Sequence, residues 1–174
     1  MAVATIKSTQ ITNRDASPEV LSSSNIAGAK VIEACGICAV GATDTVASTY
    51  RMVSIPSNAK ISSVQLWSDA SAGANQALTV DLWDTTVNGG LVVKAGFFAA
   101  ALDPSTRFAA KDATYTASGA GTNLMSGAEK MVWQNLSTVT SDPNKWYDVV
   151  VASTVNNTTT GYNLVCKVAY TLGS

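Results

Sequence analysis

The chain has 174 residues, enough for one domain with its own core, and 47% of them are apolar, an ordinary share. Charged residues make up only 13%, about half of the roughly 25% typical of soluble domains, and 11 basic residues against 12 acids leave a net charge of −1. No basic run exists to release counterions from phosphates, and the apolar segments are strand-length, so neither nucleic acid nor a membrane is an expected partner.

Residues 1–28 are rich in Ser, Thr, Asn and Ala without a sustained period, and "SPEVLSSSNIAGA" reads as an extended N-terminal arm. Residues 29–174 read as a single β-sandwich domain. "AKVIEACGICAV" is a strand-length apolar run, "TVASTYRMVSI" follows, and "PSNA" supplies turn chemistry before "KISSVQLWSD" resumes the strand pattern. In "ALTVDLWDTT", Leu78, Val80 and Leu82 alternate with Thr79, Asp81 and Trp83, as in a half-buried strand. "VNGG" places Asn-Gly ahead of "LVVKAGFF", a strong hairpin signal. Residues 99–121 are less regular and predict a long connection with one short strand or turn.

"SGAEKMVWQNL" predicts a short helix, because Ser126 and Glu129 have capping-box spacing. Trp133 would anchor that helix and Trp146 the start of the next strand, both in the core. "KWYDVVVASTV" and "YNLVCKVAYTL" close the chain as strands. Tyr162, Leu164, Cys166, Val168 and Tyr170 share one face of the last. The expected fold is all-β, an antiparallel sandwich or jelly roll of about eight strands with one short helix.

The chemistry is limited by what is missing. There is no histidine, so the commonest general base and zinc ligand are absent. The C-x-x-C of "CGIC" has three readings: a redox dithiol, half of a metal site, or two structural cysteines. A redox dithiol wants a helix start, and nothing after Cys38 supplies one. In one strand, Cys35 and Cys38 lie about 10 Å apart and point to opposite faces, beyond the roughly 7 Å limit for a disulfide. A zinc site needs four ligands, and only Cys166 remains to join them. The structural reading is favoured, with Gly36 as a place where the strand could bend. Three cysteines and no apolar leader core point to synthesis in a reducing cytoplasm.

No catalytic residue, metal site or cofactor is expected. Asp81 and Asp84 fall at polar positions where solvated acids belong. Trp67 and Trp83 lie near Asp69 and Asp81, and aromatic faces beside acids can hold sugars. The favoured reading of the tryptophans is packing in the core or at a subunit interface, where tryptophan is enriched, with Trp67, Asp69, Asp81 and Trp83 as the residues that would make a glycan or subunit contact. The low charge likewise has two readings: a surface covered by copies or a partner, or a Thr/Ser-rich β surface.

Several segments together go further. "YRMVSIPSNAKISSVQLWSDA", "LTVDLWDTTVNGGLVVKAGFF", "GAEKMVWQNL" and "DPNKWYDVV" resemble a family of small tailed-bacteriophage structural proteins encoded with the head genes. The resemblance covers roughly Thr45 to Tyr170. Its most specific pieces are the "YR…IPSNA.ISSV" segment, expected as a hairpin, the "NGG…FF" block and the order of "EK..W…DP.K.YDV". None is a catalytic motif, so no site residue carries over, and neither the arm nor the C-x-x-C belongs to it. The resemblance implies a head decoration, or cement, protein made in the bacterial host cytoplasm. Such a protein binds the capsid exterior as a homodimer or homotrimer and joins neighbouring major capsid protein subunits. Similar folds also occur in fibres and tails, so a carbohydrate- or receptor-binding module is the alternative.

Overall fold

Residues 30–71, 77–115, 130–155 and 161–173 are described in a computed structural model of the chain. Among them are eight strands: β1 (Ile32–Val40), β2 (Thr49–Pro56), β3 (Ala59–Ser68), β4 (Leu78–Asp84), β5 (Val92–Leu102), β6 (Lys111–Asp112), β7 (Trp146–Ser153) and β8 (Tyr162–Leu172). The arm expected over residues 1–28 lies outside the described residues.

Alternation builds the strands. In β8, Tyr162, Leu164, Cys166, Val168 and Tyr170 are all buried, while the residues between them reach solvent. The strands form two four-stranded antiparallel sheets, ordered β1-β8-β3-β6 and β2-β7-β4-β5. Consecutive strands mostly switch sheets, which gives the order of a jelly roll. Val64, Leu66, Leu164 and Val168 of the β1 sheet meet Ile55, Val80, Leu82 and Val149 of the β2 sheet, all fully buried. Each such side chain stabilises the fold by about 1.5–3 kcal/mol relative to exposure. Phe97 and Phe98 of β5 extend this core, with ring centroids 4.7 Å apart and Tyr115 packed against both.

Two expectations about local structure are corrected. "SGAEKMVWQNL" is not a helix where it is described. Met131 bridges to Lys60 of β3, and Val132–Asn135 make one turn of 3-10 helix. The Met131 N–H donates to Gln134 Oε1 at 2.9 Å, and the Trp133 N–H donates to the Ser57 carbonyl at 3.1 Å. These outward bonds replace the ladder a longer helix would need; Ser126 and Glu129 lie outside the described residues. "IPSNA" is likewise not a hairpin, since β2 and β3 belong to different sheets. Ser57 turns the chain between them, donating its hydroxyl to Asp142 at 2.5 Å and its N–H to the Lys145 carbonyl at 2.8 Å. The Asn-Gly signal holds: β4 and β5 pair antiparallel around it.

The C-x-x-C sits where the edges of the two sheets meet. β1 pairs with β8 in unbroken register through Cys35, Gly36, Ile37 and Cys38. Cys35 is exposed and Cys38 turns inward, so the two thiols face opposite ways. Across from them β2 carries a bulge, as its register jumps from Arg51–Val150 to Val53–Val149 and leaves Met52 over. The Cys38 thiol donates to the Arg51 carbonyl at 3.5 Å. A Cβ on Gly36 would collide with the Met52 carbonyl oxygen. Glycine is needed here for the close approach of β1 to the bulge of β2, and β1 itself carries no bulge.

Burial pushes the Cys38 thiol up, and burial with the two nearby thiols pushes Cys166 up to about 12. A disulfide reagent at neutral pH is therefore expected to label Cys35 first and Cys166 only on unfolding. Titration of the native chain checks this; labelling of Cys166 as fast as Cys35 would contradict the burial order.

Candidate functional site

The four residues singled out from the sequence fall on opposite outer faces. Trp67 follows the buried Leu66 in β3 and points away from the core of the β1 sheet. It lies in one row with Val165 of β8 and Ile37 of β1. Trp83 follows the buried Leu82 in β4 and points out of the β2 sheet. The structure bonds Trp83 to Asp81 and leaves Asp69 two residues beyond Trp67 bonded to Asn163, and it does not bring the two tryptophans together.

Both acids of these pairs hold backbone in place. Asp69 just past β3 accepts the Asn163 N–H at 2.8 Å and the Asn163 amide at 2.7 Å, clipping β3 to the start of β8. Asp81 is not a solvated acid; it is buried. Its Oδ1 accepts the Gly96 N–H at 2.6 Å and its Oδ2 the Trp83 indole N–H at 3.4 Å. Gly96 has φ +60, and the β4–β5 register is irregular around it. The carboxylate pins this kink, which sends both Phe97 and Phe98 into the core. Nothing in the spacing of "LTVDLWD" signals that an acid would be needed one strand away.

The bonds from Asn163, backbone first and then side chain, hold the Asp69 carboxyl below its usual range. The Tyr50 hydroxyl, at 2.6 Å, and then the Gly41 N–H, at 2.7 Å, do the same for Asp44. A lowered carboxyl pKa adds stability above the ordinary value of about 3.9, and that stability is lost as pH falls through the lower native value. Wild type should therefore exceed Asp69→Ala in urea midpoint at neutral pH, with the gap closing as the solution is acidified below that value. An undiminished gap in acid would contradict this role.

A denser network lies on the outer face of the β2 sheet. Arg51 of β2 pairs with Asp148 of β7 at 2.6 Å, and Asp148 also accepts the Ser54 hydroxyl at 2.5 Å. The same guanidinium donates to the Asp84 carbonyl at 3.0 Å and the Gly90 carbonyl at 2.9 Å, and lies 5.3 Å from the Trp83 ring centroid. At the end of the sheet, on the side of Tyr147, Lys145 pairs with Asp84 at 2.5 Å and lies 4.9 Å from the Tyr147 ring centroid. Trp146 is 53% exposed and does not anchor the core. Its neighbour Tyr147 takes the inward position and is buried, so strand parity turns Trp146 out beside Pro56, its register partner.

Val87 and Leu91 of the β4–β5 connection and Val92 at the start of β5 are all exposed. Each charged group named in the network bonds within the chain. Among the described residues, no three of His, Cys, Asp or Glu converge as metal ligands would.

Solved structures place this architecture. A chain of the structure described as "Capsid of Ralstonia phage GP4" aligns with a TM-score of 0.56 and 12% identity, covering 83% of this chain and 86% of that one. The likeness is one of fold. A chain of "Cyanophage Pam1 capsid asymmetric unit" aligns with a TM-score of 0.44 and 21% identity, covering 84% and 87%. No protein-family model and no curated protein matches.

Proposed function

We propose that this chain is a non-enzymatic structural protein of a bacteriophage particle. It binds the outer surface of the capsid as a homo-oligomer and cements neighbouring major-capsid subunits. The observation that carries the reading is the jelly-roll sandwich itself, aligned over 83% of this chain with a chain of the Ralstonia phage GP4 capsid. The resemblance of Thr45 to Tyr170 to phage head proteins points the same way. The surface supports it too, since Asp69, Asp81, Asp84 and Asp148 serve as backbone clips and ion pairs while Val87, Leu91 and Trp146 stand exposed. Repetition over a symmetric shell turns weak single contacts into firm attachment.

Cosedimentation tests the reading. Purified chain is mixed with expanded shells of the phage that encodes it, and shells with and without it are heated. Binding at saturable stoichiometry with delayed thermal rupture is expected. Absence of binding to intact shells would overturn the reading.

A further inference from the structure

We propose that Asn88 is a site of spontaneous deamidation, converted to aspartate and isoaspartate at a rate set by how firmly Arg51 holds the β4–β5 hairpin. The proposal is independent of the virion reading.

The chemistry needs only the chain and water. The Gly89 nitrogen gives its proton to hydroxide and attacks the side-chain carbonyl carbon of Asn88. A carbon–nitrogen bond forms, the bond from that carbon to Nδ2 breaks, and ammonia leaves with a proton taken from water. Water then opens the resulting succinimide ring at either carbonyl, which leaves aspartate or isoaspartate. Nucleophile and electrophile sit on adjacent residues, so the step is intramolecular and geometry limits it.

Three observations place this reaction at Asn88. "VNGG" holds the only Asn-Gly pair in the sequence, and glycine puts no side chain in the path of the attacking nitrogen. Both residues are exposed, so water and hydroxide reach them. A Cβ built on Gly89 would meet nothing within 4 Å, so the turn is open on that side.

The folded turn holds the reaction back. Thr86–Asn88 form one turn of 3-10 helix, and Gly89 follows it at φ +95. Ring closure brings the Gly89 nitrogen level with the Asn88 Cβ, which needs a ψ at Asn88 about a quarter turn away from the 3-10 range. Reaching it breaks the bond from the Gly89 N–H to the Thr86 carbonyl, 3.2 Å long, and disturbs that from the Gly90 N–H to the Thr85 carbonyl, 3.0 Å long. Arg51 opposes the swing, because its guanidinium donates to the Asp84 carbonyl on one arm and the Gly90 carbonyl on the other. Modification therefore waits on local opening of the hairpin. The product then loosens the turn further. Thr85 to Val93 contains no ionisable residue, so a carboxylate is new to this stretch. Isoaspartate also adds a methylene to the backbone between the Asn88 and Gly90 N–H groups, which share the Thr85 carbonyl.

Timed incubation of the purified chain at mildly alkaline pH, in native buffer and in urea, tests this. Peptide mass spectrometry follows replacement of the Asn88 amide by a carboxylate, and enzymatic methylation counts isoaspartate. Asn88 should react in the native chain, and faster as pH rises. Unfolding in urea should speed the reaction on the order of tenfold or more, and Arg51→Met in native buffer should fall between the two. Asn88→Gln, which would have to close a larger ring, should keep its amide. Circular dichroism verifies that Arg51→Met is folded; if it is not, the native and unfolded rates of wild type still decide. A native chain whose Asn88 keeps its amide while the unfolded chain loses it would overturn the proposal. So would equal rates in buffer and in urea, or a folded Arg51→Met that reacts no faster than wild type.

Discussion

Gly36→Ala should destabilise the chain by about 3 kcal/mol, because the added methyl meets a backbone atom and not a flexible side-chain end. The Met52 carbonyl oxygen that it strikes is fixed by the β2 bulge, and the adjoining Arg51 carbonyl is held by the Cys38 thiol. Relief requires β1 to lift away from β2, opening the corner where the two sheets meet. At about 2–4 °C per kcal/mol for a chain of this size, the melting temperature should fall by roughly 6–12 °C. Cys35→Ser, on the solvent side of the same strand, should change it by less than about 0.5 kcal/mol. Thermal unfolding of the two variants separates a packing role for the C-x-x-C from a thiol role. Equal losses from both would contradict the packing account.

Arg51→Met should cost about 2–3 kcal/mol, a figure reduced from that of a fully buried pair because the guanidinium is partly exposed. The loss has three sources: a largely buried Asp148 without its cation, two carbonyls of the β4–β5 hairpin without their donor, and the stacking over Trp83. Removing the charge from Asp148 as well should return part of this. The double variant Arg51→Met with Asp148→Asn is expected to cost less than the sum of the two singles. Additive losses in chemical denaturation would show that the ion pair contributes nothing beyond its separate side chains.

The strands and their inward faces were most legible where burial keeps a period of two, as in β1 and β8. Tyr162 to Tyr170 is the clearest case, and the opposed directions of Cys35 and Cys38 follow from the same parity. The β4–β5 hairpin was legible from Asn88-Gly89. The features that escaped depend on partners distant in sequence. Asp81 looks like a solvated acid until Gly96, on the neighbouring strand, is placed with its N–H against the carboxylate. Trp146 looks like a core anchor until the register of β7 gives the inward position to Tyr147. "AEKMVWQNL" has helical spacing, yet Met131 and Trp133 bond outward to β3 and to Ser57, and only one 3-10 turn results. "IPSNA" has turn chemistry, but turn residues do not say whether the next strand joins the same sheet. Trp67 and Trp83 stand apart for that reason too. β3 and β4 are consecutive strands of opposite sheets, so neighbours in sequence face away from each other across the sandwich.

The measurement that bears most directly on the proposed role is quantitative mass spectrometry of purified virions from the host that expresses this chain. A cementing protein should be present in a fixed ratio to the major capsid protein, set by the symmetry of the shell and unchanged by further purification. Virions that are intact and infectious but contain none of the chain would contradict the account.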